Sequence, residues 1–289
     1  MITIRINKWV VVVGLAGLLC GVGAVLFPGL ITANLNPRPT PVVSTQHAYD
    51  QIMGYLNRQV TGAELARQAY WQRDFSSVEA YVTALEPYRR DFQQAIAVPE
   101  ECLAGVVPEL RSSELITTID GVEIHRWELD VCAGAFTIPA LVGIPLEAAG
   151  PLPLVLAYHG TQGSPELILG LDDVDDYHHQ FGLRLARQGD LVFAPLLITQ
   201  TGDDANQMRN ELDNRALSLG ERLVGIEVGQ SISALDYLVT LDQVDPDRLA
   251  TYGISLGGLM SFYVGASDAR VGVVVVSQYI ENRTKKLIS

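Results

Sequence analysis

Histidine runs out early in this chain. Five are present, the last is His179, and none lies between Ser255 and the C-terminal Ser289. Cysteine is scarcer still, at Cys20, Cys102 and Cys132, with none of the close pairs that hold zinc. The sequence has no phosphate-cradling glycine loop and no internal repeat. No metal or cofactor is therefore expected. Cations are the minority charge, 20 Lys+Arg against 33 Asp+Glu for a net charge of −13. That balance excludes nucleic acid as a partner and excludes a basic face for anionic lipid. It indicates nothing about substrate.

What the chain has in excess, at its start, is apolar residues. The run from Trp9 to Phe27 is uncharged and follows Arg5 and Lys8. It is close to the roughly 20 residues that span a bilayer and longer than a usual signal core. Ile31-Thr32-Ala33 is a poor cleavage site, and Gly17-Leu18-Leu19-Cys20 matches a lipoprotein box only loosely. Residues 1–35 are thus expected to be a signal anchor or a signal peptide. The positive flank then stays inside and the remainder is extracytoplasmic, either held to a membrane by this segment or secreted. Residues 36–45, with Pro37, Pro39 and Pro41, form an extended linker. An oxidising compartment makes Cys102 and Cys132 a disulfide candidate; two free, half-buried thiols are the alternative.

Residues 46–98 have helical apolar spacing, at Ala48, Ile52, Tyr55 and Leu56 and again at Val78, Tyr81, Val82 and Leu85. They carry no chemical motif and are expected to form a helical cap; His47 there is structural or solvated. Residues 99–289 form the main domain. The segments 123–131 and 136–145 alternate with period two, as in a hairpin with one buried face, and His125 on the first has no assigned role. The runs at Leu154, Leu191, Leu249 and Val271 are continuous and apolar, as in strands buried on both faces. Helices are expected between them, at 174–187 and 208–241, giving a mostly parallel sheet covered on both sides. The acidic run Asp172 to Asp176 reads as a helix's first turn in preference to a calcium loop. His178 and His179, about 100° apart on such a helix, do not make a metal pair.

The informative stretch is Arg248 to Tyr263, R-L-A-T-Y-G-I-S-L-G-G-L-M-S-F-Y. A short apolar run stops at Gly253, Ser255 follows, and Gly257 and Gly258 open a run with helical spacing. A G-x-S-x-G between strand and helix has the layout of a nucleophile elbow. The turn strains the serine backbone and leaves no room for side chains at Gly253 and Gly257. The hydroxyl is left at a helix N-terminus, where free N–H groups favour negative charge.

With those residues in hand, the chain from about Ile119 to Ile280 resembles the α/β-hydrolase superfamily, its dienelactone-hydrolase-like and acetyl-xylan-esterase-like members in particular. The resemblance rests on Tyr158-His159-Gly160 after the first central strand and on Asp245-Pro246-Asp247-Arg248-Leu249 running into Gly253-Ile254-Ser255-Leu256-Gly257-Gly258. It implies Ser255 as nucleophile and the N–H of Leu256 as one oxyanion donor. The second donor is implied in the loop after the first central strand, at Thr161 or Gly160, with His159 shaping that loop. It also implies a small-molecule or carbohydrate ester as substrate.

One departure stands out. The family order is serine, acid, histidine, yet after Ser255 there are only the acids Asp268 and Glu281. The expectation is therefore a serine ester hydrolase given as an N-terminal piece, without its acid and histidine, in which His179 is the least improbable substitute base. The other reading is a non-catalytic hydrolase-like protein that binds or scaffolds.

Overall fold

The computed structural model describes residues 43–280, apart from 148–149, 173–174, 200–201 and 203, together with the backbone of 2–6 and 9–13. The latter form two short antiparallel strands, β1 (Ile2–Ile6) and β2 (Trp9–Val13). The rest of the expected anchor and most of the linker lie outside the described residues. Among the described residues, no helix is long and apolar enough to cross a membrane.

A seven-stranded sheet organises the remainder. Its strands are β3 (Glu109–Ile119), β4 (Val122–Val131), β5 (Phe136–Pro145), β6 (Leu152–Tyr158), β7 (Leu191–Pro195), β8 (Val244–Ile254) and β9 (Val273–Ser277). They lie in the order β3-β4-β5-β7-β6-β8-β9. The first three pair antiparallel, β5 joins β7 antiparallel, and β7, β6, β8 and β9 run parallel. The chain leaves β6 to one side for β7, then crosses back to β8 on the other. That reversal opens a crevice at the C-terminal ends of β6 and β8, where open α/β sheets bind ligands.

The central strands alternate between two cores. Leu154, Leu156 and Tyr158 of β6 and Leu191 and Phe193 of β7 face one; Ala157, Val192 and Ala194 face the other. Burial on both faces is why these segments are uniformly apolar. The first core is closed by α6 (Leu223–Leu238) and α7 (Leu256–Ser267), the second by α3 (Pro165–Leu169) and α4 (Phe181–Arg187). The expected α/β architecture, helices on both faces of a mostly parallel sheet, is the one found.

The residues expected to form a helical cap make two helices, α1 (Thr45–Tyr70) and α2 (Val78–Ala95). The end of α1 meets α2 through Tyr70, Trp71 and Tyr88, and α2 packs on α7 through Phe92 and Tyr263, ring centroids 5.0 Å apart. Arg89 donates to the carbonyls of Gly265 and Ala266, and Gln93 to that of Ser267. The unpaired carbonyls at the end of α7 are satisfied in this way.

Three expectations need correction, and one strand was not foreseen. The helix expected over 174–187 begins only at Phe181; the described acidic residues Asp172, Asp175 and Asp176 and both adjacent histidines lie in turns and bends, with His179 and Gln180 at positive φ. The stretch 208–241 is two helices, α5 (Gln207–Leu217) and α6. They are broken at Gly220 (φ 81°), and Asp213 accepts the Leu223 N–H in place of a local cap. β9 is not buried, since Val273 is 57% exposed. β3 was not foreseen because it is exposed along most of its length and shows no alternation; polar pairs such as Arg111–Asp130 and Arg126–Glu114 fasten it to β4.

Cys102 and Cys132 are joined in a buried disulfide, Cα atoms 3.9 Å apart. It ties the 3-10 turn at Glu100–Cys102 to the β4–β5 turn beneath α6. Gly229 of α6 lets the bridge pass: a Cβ there would sit 2.8 Å from the Cys102 sulfur. The bridged residues are 30 apart in sequence, so closing that loop in the unfolded chain is worth about 3–4 kcal/mol. Replacing both cysteines by serine should lower unfolding free energy by that order in denaturant titrations. A change below about 1 kcal/mol would mean that the bridge constrains nothing the fold does not already hold.

Candidate active site

β6 and β8 are neighbours in register, Tyr158 beside Gly253, so the segments that follow them emerge at the same level. After β8 the chain turns sharply into α7. Ser255 stands at the turn with φ 56° and ψ −116°, a region that costs a non-glycine residue about 1–3 kcal/mol. Its N–H donates to the Ser277 carbonyl at the end of β9 (2.9 Å), which helps hold the strain in place.

The three glycines around it are dictated by close approach. A Cβ on Gly253 would lie 2.0 Å from the Gly257 carbonyl oxygen, and one on Gly257 would lie 2.0 Å from that of Tyr158. One on Gly258 would come within 2.7 Å of the Ser277 oxygen. All three obstacles are backbone, which cannot swing aside. None of the three glycines has a positive φ; space, not conformation, selects them.

The loop after β6 is packed against this turn. A Cβ on Gly160 would be 3.2 Å from the Ile254 carbonyl, one residue before Ser255. Thr161 shares with Ser255 and Leu256 an open cavity of ≈ 650 Å³, completed by Asn206, Leu259, Gln278, Tyr279 and Ile280. The loop's amides can be accounted for one at a time. Gly160 N–H donates to His178 Nε2 (2.9 Å), Gln162 N–H to Thr199 Oγ1 (2.9 Å) and Gly163 N–H to the Gly160 carbonyl (3.0 Å). Among the described residues, Thr161 N–H alone of these amides makes no such bond. The N–H of Leu256 belongs to the first turn of α7, where amides have no intrahelical partner.

His159 is fully buried and bridges two loops. Its Nε2 accepts the Leu197 N–H (3.0 Å) and its Nδ1 meets the Gly160 carbonyl (2.9 Å). A backbone N–H can only donate, so Nε2 is the bare nitrogen and Nδ1 carries the proton. Burial pushes this imidazole down to about 4, against a smaller upward pull from its bond to Gly160. The loop after β7, which supplies Thr199, is held in turn by a buried ion pair. Arg209 donates to both oxygens of Glu227 and to the Ile198 carbonyl. Sequence reasoning missed that pair.

The expected site residues separate clearly. Ser255, Leu256 and Thr161 come together, and Gly253, Gly257 and Gly258 shape the turn beneath them. Gly160 is adjacent, but its N–H is already bonded. Asp268 lies at the far end of α7, about 18 Å along the helix from Ser255, where Arg270 pairs with its carboxylate. Glu281 lies outside the described residues. His125 pairs with Glu123 on β4, and His179 is exposed at a turn. The described lining of the Ser255 cavity holds no histidine and no carboxylate.

No family model matches the chain. A curated relative, "Putative hydrolase YtaP" of Bacillus subtilis, is 33% identical over 144 residues, 47% of this chain and 46% of the relative. The chain thus spans about half the length of the curated relative it matches. Among solved structures, that of "a putative acetyl xylan esterase" from Bacteroides fragilis superposes with TM-score 0.51 at 17% identity, covering 75% of this chain and 58% of the other. That likeness and the strand order show the α/β-hydrolase fold.

The buried neutral His159 makes stability depend on pH in a defined direction. The unfolded chain takes up this proton near the ordinary value of 6.5, the folded one only near 4. The contribution is therefore complete above about pH 6.5 and is lost progressively as pH falls through about 4. Between about pH 7 and pH 4.5 it amounts to about 2 kcal/mol. Urea unfolding at those two values should show a fall in the natural protein larger by that order than in His159→Gln. Equal falls would contradict the assignment.

Proposed function

We propose that this chain is a serine hydrolase of carboxylic esters, with Ser255 as nucleophile and the N–H groups of Leu256 and Thr161 as oxyanion donors. One observation carries the proposal: Thr161, whose amide is the one of its loop left unbonded among the described residues, lines the same cavity as a serine on a strained strand-to-helix turn. Ser255 Oγ attacks the ester carbonyl carbon, its proton passes to solvent water in the open cavity, and the displaced electron pair collects on the carbonyl oxygen. Two preset donors and the N-terminus of α7 face that oxygen. Each such donor lowers the barrier by about 3–4 kcal/mol. Collapse breaks the ester C–O bond, the leaving oxygen takes a proton from solvent and departs as the alcohol, and an acyl-serine is left for water to cleave. His159 shapes the loop and is not a base, since both of its ring nitrogens are engaged.

A small-molecule or carbohydrate ester is the substrate this arrangement suits. A second cavity shares Thr161 and Asn206 with the first; the amides Gln162, Gln207, Asn210 and Asn214 line it together with the carboxylates Asp204 and Glu211. Side-chain amides both donate and accept, as hydroxyl-rich alcohols require. The likeness to "a putative acetyl xylan esterase" agrees with this choice. An extracytoplasmic location is part of the proposal and is supported by the buried disulfide and the uncharged run at Trp9 to Phe27.

The second reading, a hydrolase-like binding protein, draws on one observation, the absence of histidine and carboxylate from the described cavity lining. A fluorophosphonate probe separates the two, because only an activated serine displaces its fluoride. Stoichiometric labelling of the natural protein, absent in Ser255→Ala, is expected. A natural protein that stays unlabelled while it binds a nonhydrolysable ester would decide for the second reading.

A further inference from the structure

We infer that Asp176, Tyr177 and His178 form a clamp that aims the Thr161 N–H at the oxyanion; this rests on the proposed role of Ser255. The clamp lies in the turn that precedes α4, a segment with no recognisable motif. His178 is buried, and its Nε2 accepts the Gly160 N–H at 2.9 Å. An imidazole nitrogen accepts only when bare, so the ring's proton is on Nδ1. Asp176 fixes that tautomer: its Oδ1 takes the Nδ1–H and also accepts the His178 backbone N–H (2.9 Å). Burial alone would raise the Asp176 carboxyl, but hydrogen bonds from His178 hold it below its ordinary value, in the charged form the pairing needs.

Tyr177 completes the clamp. Its ring packs on that of His178 with centroids 3.9 Å apart, and its hydroxyl donates to the Thr161 carbonyl at 3.1 Å. Two of the loop's glycines now have a reason. A Cβ on Gly160 would lie 2.3 Å from the Tyr177 hydroxyl, and one on Gly163 would lie 2.6 Å from the His178 ring. Neither glycine has a positive φ.

The three consecutive peptide units explain what the clamp does. The first is pinned by its N–H, from Gly160 to His178. The third is pinned by its carbonyl, from Thr161 to Tyr177, and by its N–H, from Gln162 to Thr199. Between them lies the unit that joins Gly160 to Thr161. Its carbonyl takes the His159 Nδ1–H and the Gly163 N–H. In a trans peptide the N–H points opposite to the carbonyl. With that carbonyl held inward, the Thr161 N–H is directed outward, toward the cavity it shares with Ser255. His178 is therefore a positioning residue. With Gly160 N–H on Nε2 and Asp176 on Nδ1, it has no free nitrogen with which to act as a base.

The test combines a spectroscopic and a kinetic arm on the intact protein. Two-bond proton–nitrogen correlation spectra should show His178 with a bare Nε2 and a protonated Nδ1, and the Gly160 amide should exchange slowly. With p-nitrophenyl acetate, His178→Ala should lower kcat by about 10²-fold with KM little changed, as for a reacting group displaced by about 1 Å. His178→Gln, whose side-chain oxygen can accept the same N–H, should recover most of the loss. A proton on Nε2, a rapidly exchanging Gly160 amide, or an unchanged kcat in a folded His178→Ala protein would overturn the inference while leaving serine chemistry intact. A clamped His178 in a protein with no Ser255-dependent hydrolysis would reject its positioning role together with the proposed function.

Discussion

Backbone pressed on backbone, closer than a Cβ permits, is the constraint on which the site depends. At the β8–α7 turn, Gly253 meets Gly257 and Gly257 meets the carbonyl of Tyr158. These contacts bring the end of β6 against the first turn of α7, and so set the loop from His159 to Gly163 beside Ser255. The strain at Ser255 is tolerated because β9 holds its amide and the cores on both faces hold the strands. Widening either contact would separate Ser255 from that loop before any side chain of the site was touched.

Around that contact the protein spends its buried polar groups on loop geometry. His159 joins the loops after β6 and β7, Arg209 and Glu227 brace the second, and Asp176 with His178 braces the first. A buried ion pair contributes little net stability once desolvation is counted, but it fixes geometry because breaking it is costly. The consequence is a loop in which, among the described residues, the Thr161 amide alone is left to meet a ligand. The same logic explains why two histidines beside the site do not supply a base, as each has both nitrogens bonded to the scaffold.

The sequence made the central sheet legible where burial on both faces leaves a continuous apolar run, as at Leu154 and Leu191. It failed where context overrides local pattern. β3 is an exposed edge strand whose partners are polar, and the break between α5 and α6 is set by Asp213 reaching Leu223 across the turn. The elbow could be read because its glycines and serine lie within six residues. The clamp could not, because residues 176–178 meet residues 160–163 only in three dimensions. The one local trace of it was the pair Gly160 and Gly163, whose cause becomes visible with Tyr177 and His178 in place.

The proposed function requires that an oxyanion on a ligand bound to Ser255 be received by the N–H groups of Leu256 and Thr161. A crystal structure of the protein carrying a phosphonate on Ser255 tests it most directly, since the phosphoryl oxygen stands where the carbonyl oxygen of an ester would. The prediction is that this oxygen lies about 3 Å from the nitrogens of both Leu256 and Thr161, with the Gly160 N–H still on His178. A phosphoryl oxygen turned to solvent, or one that takes the Gly160 N–H away from His178, would contradict it.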